Sequence, residues 1–523
     1  VYKRQAFDTR SGETQQLTRE EQWDVRWPSK GDAGQIVYEL NGELQILDTV
    51  SRQSRKLSIH VPDDGVAMRP AREGVSDDVE GVGLSPKGER VLVVAHGEVF
   101  TVPPEKGEVR NLTRTAGAHE REAAWSPDGA RVAFLSDRTG EEELYVTAQD
   151  GSGAAEPLTS GGKARRYGTL WSPAGTHIAF SDKDGRLWVV DVATKELIEV
   201  AQDPGGSLGD YTWSPHGAHL AFSLEEPSGF RALWIYTLAD RALRRVTDGV
   251  FNATEPVWDP EGRWLYFLSD REYAPQISTS EWNFATSRTT GIFALALRQD
   301  VAHPFPPQSD EVTVEEPDEE AAEGGEALAG DSEAAAGEGQ PEGEEDADEA
   351  VAIDFDGLAR RVARLPVEAD NYAGLTANAK ALFYLRRGDF FYGRGSDRDS
   401  ALMVFDLEER EGSVLVENAG GYSLSADGSK LLVQGRGGPA LYDASPQGAG
   451  SRKAIALSEL YVDRVPAEEW MQIFDEVWRR FRDYFYVANM HGYDWAALRE
   501  QYRPLVAHVA HRSDLNYVIG EMI

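Results

Sequence analysis

Apolar positions in this chain fall in short blocks separated by turn residues. The clearest block covers residues 125–159. Trp125-Ser126-Pro127-Asp128-Gly129 leads into Val132-Ala133-Phe134-Leu135, a polar Asp137-Arg138-Thr139-Gly140, the run Leu144-Tyr145-Val146, and residues 156–159. Ser-Pro-Asp-Gly predicts a type I turn, because proline presets φ at the second position and glycine suits the fourth. A run apolar at consecutive positions predicts a strand buried on both faces, whereas alternation would predict one wet face. The polar quartet between the two runs predicts a hairpin. Together these signals predict a four-stranded antiparallel unit.

The unit recurs. Leu84-Ser85-Pro86-Lys87-Gly88, Trp171-Ser172-Pro173-Ala174-Gly175, Trp213-Ser214-Pro215-His216-Gly217 and Trp258-Asp259-Pro260-Glu261-Gly262 repeat the turn. The anchors Leu84, Trp125, Trp171, Trp213 and Trp258 are 41, 46, 42 and 45 residues apart. A period of about 40–45 residues with four strands per unit predicts β-propeller blades, which must stack because one blade cannot bury its own faces. Two fainter copies follow. One is Gly374-Leu375-Thr376-Ala377-Asn378 with strands expected at 381–385 and 401–406; the other is Leu424-Ser425-Ala426-Asp427-Gly428 with strands at 430–434 and 440–443. The Trp anchors read as core residues.

The expected fold class is therefore mainly β. A seven-bladed β-propeller spans 81–456, the last blade of another propeller precedes it, and the helical start of a core domain follows. The preceding blade covers 1–62, with an imperfect anchor Trp27-Pro28 and strands at 35–40, 43–48 and 55–60. Residues 63–80 read as a connector, and residues 1–5 fit no pattern. The fifth blade is interrupted by an excursion from Arg271 to about Arg361. Residues 308–350 hold 18 Asp or Glu and no Lys or Arg. Such a composition cannot offset chain entropy and predicts a disordered acidic insertion at about 300–352. Loops accept such insertions at little cost, so it reads as a tolerated surface segment.

From Pro466 the apolar period becomes helical: Trp470, Ile473, Phe474, Val477, Trp478, Phe481 and Phe485 share one face, and Glu468 and Glu469 suit the first turn. The charged Arg479-Arg480 pair reads as a solvated face. Met490-His491-Gly492-Tyr493 reads as a turn. Asp494 is expected to cap a second helix, 495–503, ended by Pro504, and Ser513 to cap a third from Asp514. Val at position 1 and an uncapped final helix lead us to expect a piece of a longer reading frame.

Composition narrows the function classes. The 523 residues carry a net charge of −36, half of it in the acidic insertion. That balance disfavours nucleic-acid binding, which needs a basic face. No apolar run reaches the roughly eighteen residues of a membrane span, so no membrane partner is expected. The absence of Cys excludes disulfides, thiol chemistry and a Cys-based metal site. A Cys-free acidic chain fits the cytoplasm, with export as the alternative.

Motifs for chemistry are weak. Gly205-Gly206-Ser207-Leu208-Gly209 matches the nucleophile elbow, but it is expected in an inter-blade loop rather than between a strand and a helix. Ser160-Gly161-Gly162-Lys163 matches S-x-x-K without its companion motifs. His508 and His511, three apart, would share a helical face, yet no acidic third ligand accompanies them. His491 reads as a capping or packing residue. Gly393-Arg394-Gly395 and the Gly435–Gly438 cluster read as hairpin glycines. No catalytic, cofactor-binding or metal-binding residue is assigned, and no cofactor is expected.

Two features combine into a resemblance. Trp-Ser-Pro-Asp-Gly blades are common to many proteins. The helical stretch is more specific: residues 470–478, Asp483-Tyr484-Phe485-Tyr486, Asn489-Met490-His491-Gly492-Tyr493-Asp494-Trp495 and residues 512–517. With the blades before it, this stretch resembles the tricorn protease family over nearly the whole chain. The resemblance implies a six-bladed propeller ending at about 62, a seven-bladed one over about 80–456, and the first core domain opening at 466. It implies a parent serine peptidase that cuts peptides to very short products, its propeller admitting and filtering substrate, assembled as a homo-oligomer. The family's catalytic Ser-His pair of the first core domain would be expected shortly after Ile523, and its catalytic serine in a second core domain, so no catalytic residue is carried over. Two other readings stand beside this one: a non-enzymatic propeller that binds proteins or peptides, and the propeller lid of a prolyl-oligopeptidase-like enzyme. The helices from Pro466 speak against both.

Overall fold

The structure is a computed structural model, and it describes residues 4–272, 276–277, 284–285, 287–302, 304–305, 351–389 and 395–523. Most of the expected acidic insertion thus lies outside the described residues. The chain divides into two units, Val1–Val66 and Ala67–Ile523.

The first unit is built on one four-stranded antiparallel sheet, Arg26–Lys30, Gln35–Leu40, Glu43–Asp48 and Ser54–Lys56. The strand expected at 55–60 is thus a shorter one at 54–56. A hairpin of Gln5–Phe7 with Thr14–Gln16 precedes the sheet, a pairing the sequence reading did not anticipate. Val25, Tyr38 and Leu47 form its small core. Trp27, expected to anchor a core, is 75% exposed.

In the second unit, seven four-stranded antiparallel sheets follow one another among the described residues. The second shows how sequence produces the sheet. Its strands are Glu120–Trp125, Arg131–Ser136, Glu143–Ala148 and Glu156–Pro157. The first strand begins five residues before Trp125, so the repeat starts upstream of its anchor. In the second strand, Val132 and Phe134 pack toward the first sheet, and Ala133 and Leu135 toward the third. Alternate side chains of one strand thus feed two inter-sheet cores, which is why the run is apolar throughout. The pattern closes on itself: Val91, Val93 and Phe100 of the first sheet share a core with Leu432 and Leu441 of the seventh.

The Ser-Pro-Asp-Gly turn is stitched to the strand after it. Gly129 N–H donates to the Ser126 carbonyl at 2.9 Å, with Gly129 at φ 72. The serine hydroxyl accepts the backbone N–H five residues on, at 2.9–3.0 Å, at Ser85, Ser126, Ser172, Ser214 and Ser425. Asp259 replaces it in the fifth sheet, accepting from Arg263 N–H at 3.1 Å. Ser214 is fully buried. Ser214→Ala would strand the His219 N–H, at a cost of about 1–3 kcal/mol; urea unfolding of the variant against the parent measures it.

Indoles lock neighbouring sheets. Trp171, Trp213 and Trp258 are buried, and their Nε1–H groups donate to Ala124, Leu170 and Thr212 carbonyls of the preceding sheet at 3.2, 3.1 and 3.2 Å. A wide apolar ring with one donor at its edge fills the wedge and satisfies a backbone acceptor.

Two expectations are corrected here. The excursion of the fifth sheet is not continuous, because Gly291–Ala296 inside it is a fully buried third strand paired with Trp264–Ser269 and Val362–Arg364. The stretch returns at Val351, which packs in the core between the fourth and fifth sheets. Its carbonyl lies 3.1 Å from His219 Nε2. The connector is not featureless either, since Ala71–Gly74 pairs with Tyr461–Arg464. The chain therefore enters and leaves the ring of sheets as one two-stranded ribbon.

Helix α1 (Pro466–Tyr484), α2 (Trp495–Tyr502) and α3 (Arg512–Met522) follow. Trp470, Phe474, Trp495, Val506, Leu515 and Val518 make their shared core. Trp478 and Trp495 exchange indole-to-carbonyl hydrogen bonds of 2.8 and 3.0 Å. Asp494 caps α2 as expected, accepting from Ala497 N–H at 2.9 Å. Pro504 does not end the helical path, which continues as a 3-10 turn over Arg503–His508. The cap of α3 is His511 rather than Ser513: Nδ1 accepts the Ser513 N–H, and Asp514 accepts the His511 N–H at 3.0 Å.

Candidate functional site at the inner strands and the docked helix

The first strand of each sheet is the innermost, and in a propeller these strands surround the central channel. Several carry a bulge with a left-handed residue: Glu122, Gly168, Glu255 and Gly374 have φ 53, 64, 50 and 67. Neighbouring inner strands are joined there. The Tyr211 hydroxyl donates to the Tyr167 carbonyl at 3.3 Å and fills the space that a Cβ on Gly168 would need. Asp210 Oδ2 accepts from Glu255 N–H at 2.9 Å, and Glu255 Oε2 accepts from Leu375 N–H at 3.0 Å. The Tyr422 hydroxyl reaches the Gly374 and Phe383 carbonyls. Burial holds the Tyr211 and Tyr422 hydroxyls well above the usual phenol range and pushes the Asp210 and Glu255 carboxyls up.

On the side where the inner strands begin, α1 docks against loops of the first three sheets through its polar face. Arg479 is buried, bonding Asp137 and donating to the Gly140 carbonyl at 2.9 Å. Asp137 also accepts from Gln472 Nε2 at 2.9 Å and from His119 N–H at 2.8 Å. Arg482 reaches Glu141, with Nη2 at 2.9 Å from Oε2, and Asp483 accepts the Arg165 N–H at 3.0 Å. The reading of Arg479-Arg480 as a solvated face is therefore corrected for Arg479. Arg480 alone is the exposed partner, 46% open and paired with Glu476. Much of the face away from α1's apolar core thus meets charged loops, with Arg480 left at its open edge.

His119 sits between Glu80 and Glu476, 3.0 Å from each. Burial opposes its charge, but the two carboxylates outweigh burial and push it up to about 10. Burial likewise works against the Glu476 carboxylate, and His119, Gln472 and Arg480 hold it far below the usual range. A raised histidine stabilises the fold fully below its unfolded value of about 6.5, and that contribution fades as pH climbs. Stability at the α1 junction should therefore fall between about pH 6.5 and pH 10, measured as thermal unfolding across that range. A cavity of about 160 Å³ lies beside the junction, lined among others by Glu80, His96, Glu98, His119, Arg464 and Glu469.

The motifs singled out in the sequence stay apart from this region. Gly205–Gly209 lies in a loop between strands Leu197–Gln202 and Thr212–Trp213, with no helix after it. Ser160–Lys163 is also in a loop, where Glu143 accepts the Gly162 N–H. His508 ends the 3-10 turn and His511 caps α3, so the two do not share a helical face. His491, at φ 54, packs against Phe485 and Tyr486. Gly435 and Gly438 flank a hairpin, while Gly393-Arg394 lies outside the described residues. Among the described residues, no group of three or more His, Cys, Asp or Glu is placed to hold a metal ion, and no helix is long and apolar enough to cross a membrane. The sequence reading missed His119, Asp137 and Glu476, whose partners are remote in sequence. Gly168 and Gly374 could have been found, because a lone glycine in a strand marks a bulge or a close approach.

Comparison with known proteins fits this architecture. A family model for the tricorn protease second beta propeller domain matches residues 79–444, more than half of the chain, and one for the tricorn protease C1 domain matches residues 466–523. The chain belongs to the tricorn protease family. Tricorn protease homolog 1 of Streptomyces coelicolor is 26% identical over 509 residues, covering 94% of this chain and 46% of the relative. The tricorn protease homolog of Saccharolobus solfataricus is 23% identical over 503 residues, covering 94% and 43%. A crystal structure of the tricorn protease superposes with a TM-score of 0.79 at 17% identity, covering 99% of this chain and 47% of that one. The chain thus spans about half the length of the tricorn relatives it matches. The C1 match begins at Pro466, where α1 begins, so the tricorn propeller and C1 segments meet at the junction clamped by Arg479.

Proposed function

We propose that this tricorn-family chain is the propeller and opening core segment of a serine peptidase that degrades peptides to very short products. The observation that carries the reading is the helical block. A C1 match directly after the propeller, docked on it through the buried Arg479–Asp137 pair, favours a peptidase segment over a simple binding propeller. The ring of sheets would admit and filter peptide substrate along its axis. Residues 1–62 would be the last blade of a preceding propeller, and the whole protein a cytoplasmic homo-oligomer. No residue among the 523 is assigned to catalysis.

The test compares the 523-residue chain with the product of its complete natural reading frame. Both are treated with a serine-reactive phosphonate and with short fluorogenic peptides. Labelling and turnover are expected for the complete product and not for the 523-residue chain. Specific labelling of the shorter chain, or none of the complete product, overturns the proposal.

A further inference from the structure

We propose that His119 acts as a charge-dependent latch holding the helical block on the propeller. Its two ring nitrogens face carboxylates on opposite sides of the junction. Nε2 lies 3.0 Å from Glu80 Oε2 on the inner strand of the first sheet, and Nδ1 lies 3.0 Å from Glu476 Oε2 on α1. A neutral imidazole has one N–H and can donate to only one of them, leaving a lone pair against the other. The imidazolium donates to both and turns two like charges into a bridge.

The charged surroundings make this dependence one-sided. Glu476 has further partners: Arg480 Nε at 2.9 Å and Arg165 Nη1 at 3.7 Å. Glu80 has no other ion-pair partner among the described residues, because the nearby Arg121 is committed to Glu142. Asp137 fixes the His119 backbone N–H and is itself neutralised by Arg479. On the cavity side, His96 lies 3.9 Å from Glu469 and does not reach Glu80 in an ion pair. Loss of charge on His119 therefore leaves Glu80 facing α1 without an ion-pair partner, held only by the Gly97 backbone N–H and the more distant Arg121, while Arg479 and Arg482 keep the helix from leaving altogether. The consequence is local opening of α1 ahead of global unfolding.

Hydrogen exchange of the 523-residue chain at about pH 8 tests the latch. In His119→Gln, amides of α1 should exchange about tenfold faster, with the fourth to seventh sheets unchanged. His119→Lys retains a cation between the carboxylates and should restore slow exchange. In the Glu80→Gln background, the effect of His119→Gln should shrink, because the like charge is gone. The proposal is overturned if His119→Gln leaves α1 within about twofold of the parent, or if His119→Lys exchanges as fast as His119→Gln. It is also overturned if sheets and helix speed up together, since His119 would then be an ordinary packing residue.

Discussion

Arg479→Met should destabilise the chain by about 3–5 kcal/mol, because it leaves the Asp137 carboxylate buried without its cation. The pair is closed to solvent, at 7% and 4% exposure. The next residue supplies the control. Arg480 is open to water, and removing an exposed ion-pair partner should cost less than about 1 kcal/mol. Denaturant unfolding monitored by tryptophan fluorescence separates the two variants, since Trp470, Trp478 and Trp495 report on the helices. The double variant Arg479→Met with Asp137→Asn should recover part of the loss, because desolvating the lone carboxylate, rather than losing the attraction, dominates the cost. Equal effects at positions 479 and 480 would refute the buried clamp.

The second large effect is expected at an anchor indole. Trp213→Ala removes a buried ring from the core between the third and fourth sheets and orphans the Leu170 carbonyl. Large-to-small changes of this kind cost about 3–5 kcal/mol. Trp213→Phe keeps most of the volume and loses only the donor, so about 1–2 kcal/mol is expected. Trp27→Ala, at an anchor of the same apparent type but exposed, should stay within about 0.5 kcal/mol. Thermal and urea unfolding of the three variants give this order directly.

That contrast shows how far the sequence could be read. Period, turn and strand pattern agree because each blade repeats one local solution. Ser-Pro-Asp-Gly sets the turn, and an apolar run such as 132–135 supplies both neighbouring cores. Where local chemistry repeats, the pattern is legible; the fold class, the run of sheets and the helices after Pro466 all follow from it. Trp27 shows the limit, since it heads a run of strands as the other anchors do, though with the imperfect turn Trp27-Pro28, while its ring stays exposed. The third strand of the fifth sheet, Gly291–Ala296, was hidden because the stretch around it broke the period.

The candidate site was less legible for a different reason. Asp137 and Arg479 are 342 residues apart in the chain, so nothing near either residue marks their pairing. A charged helix face normally meets water, and only the docked loops reverse that rule for α1. His119 carries no motif, and its character comes from Glu80 and Glu476 on two other elements. His511 takes the capping place that Ser513 would hold by propensity alone, because its ring nitrogen accepts the N–H that a serine hydroxyl usually accepts.

The measurement that bears most directly on the peptidase assignment is to read the natural coding sequence onward from the codon for Ile523. The account predicts a Ser-His pair soon after it, and later a second core domain. A stop codon there would contradict the account and leave a propeller-based binding protein.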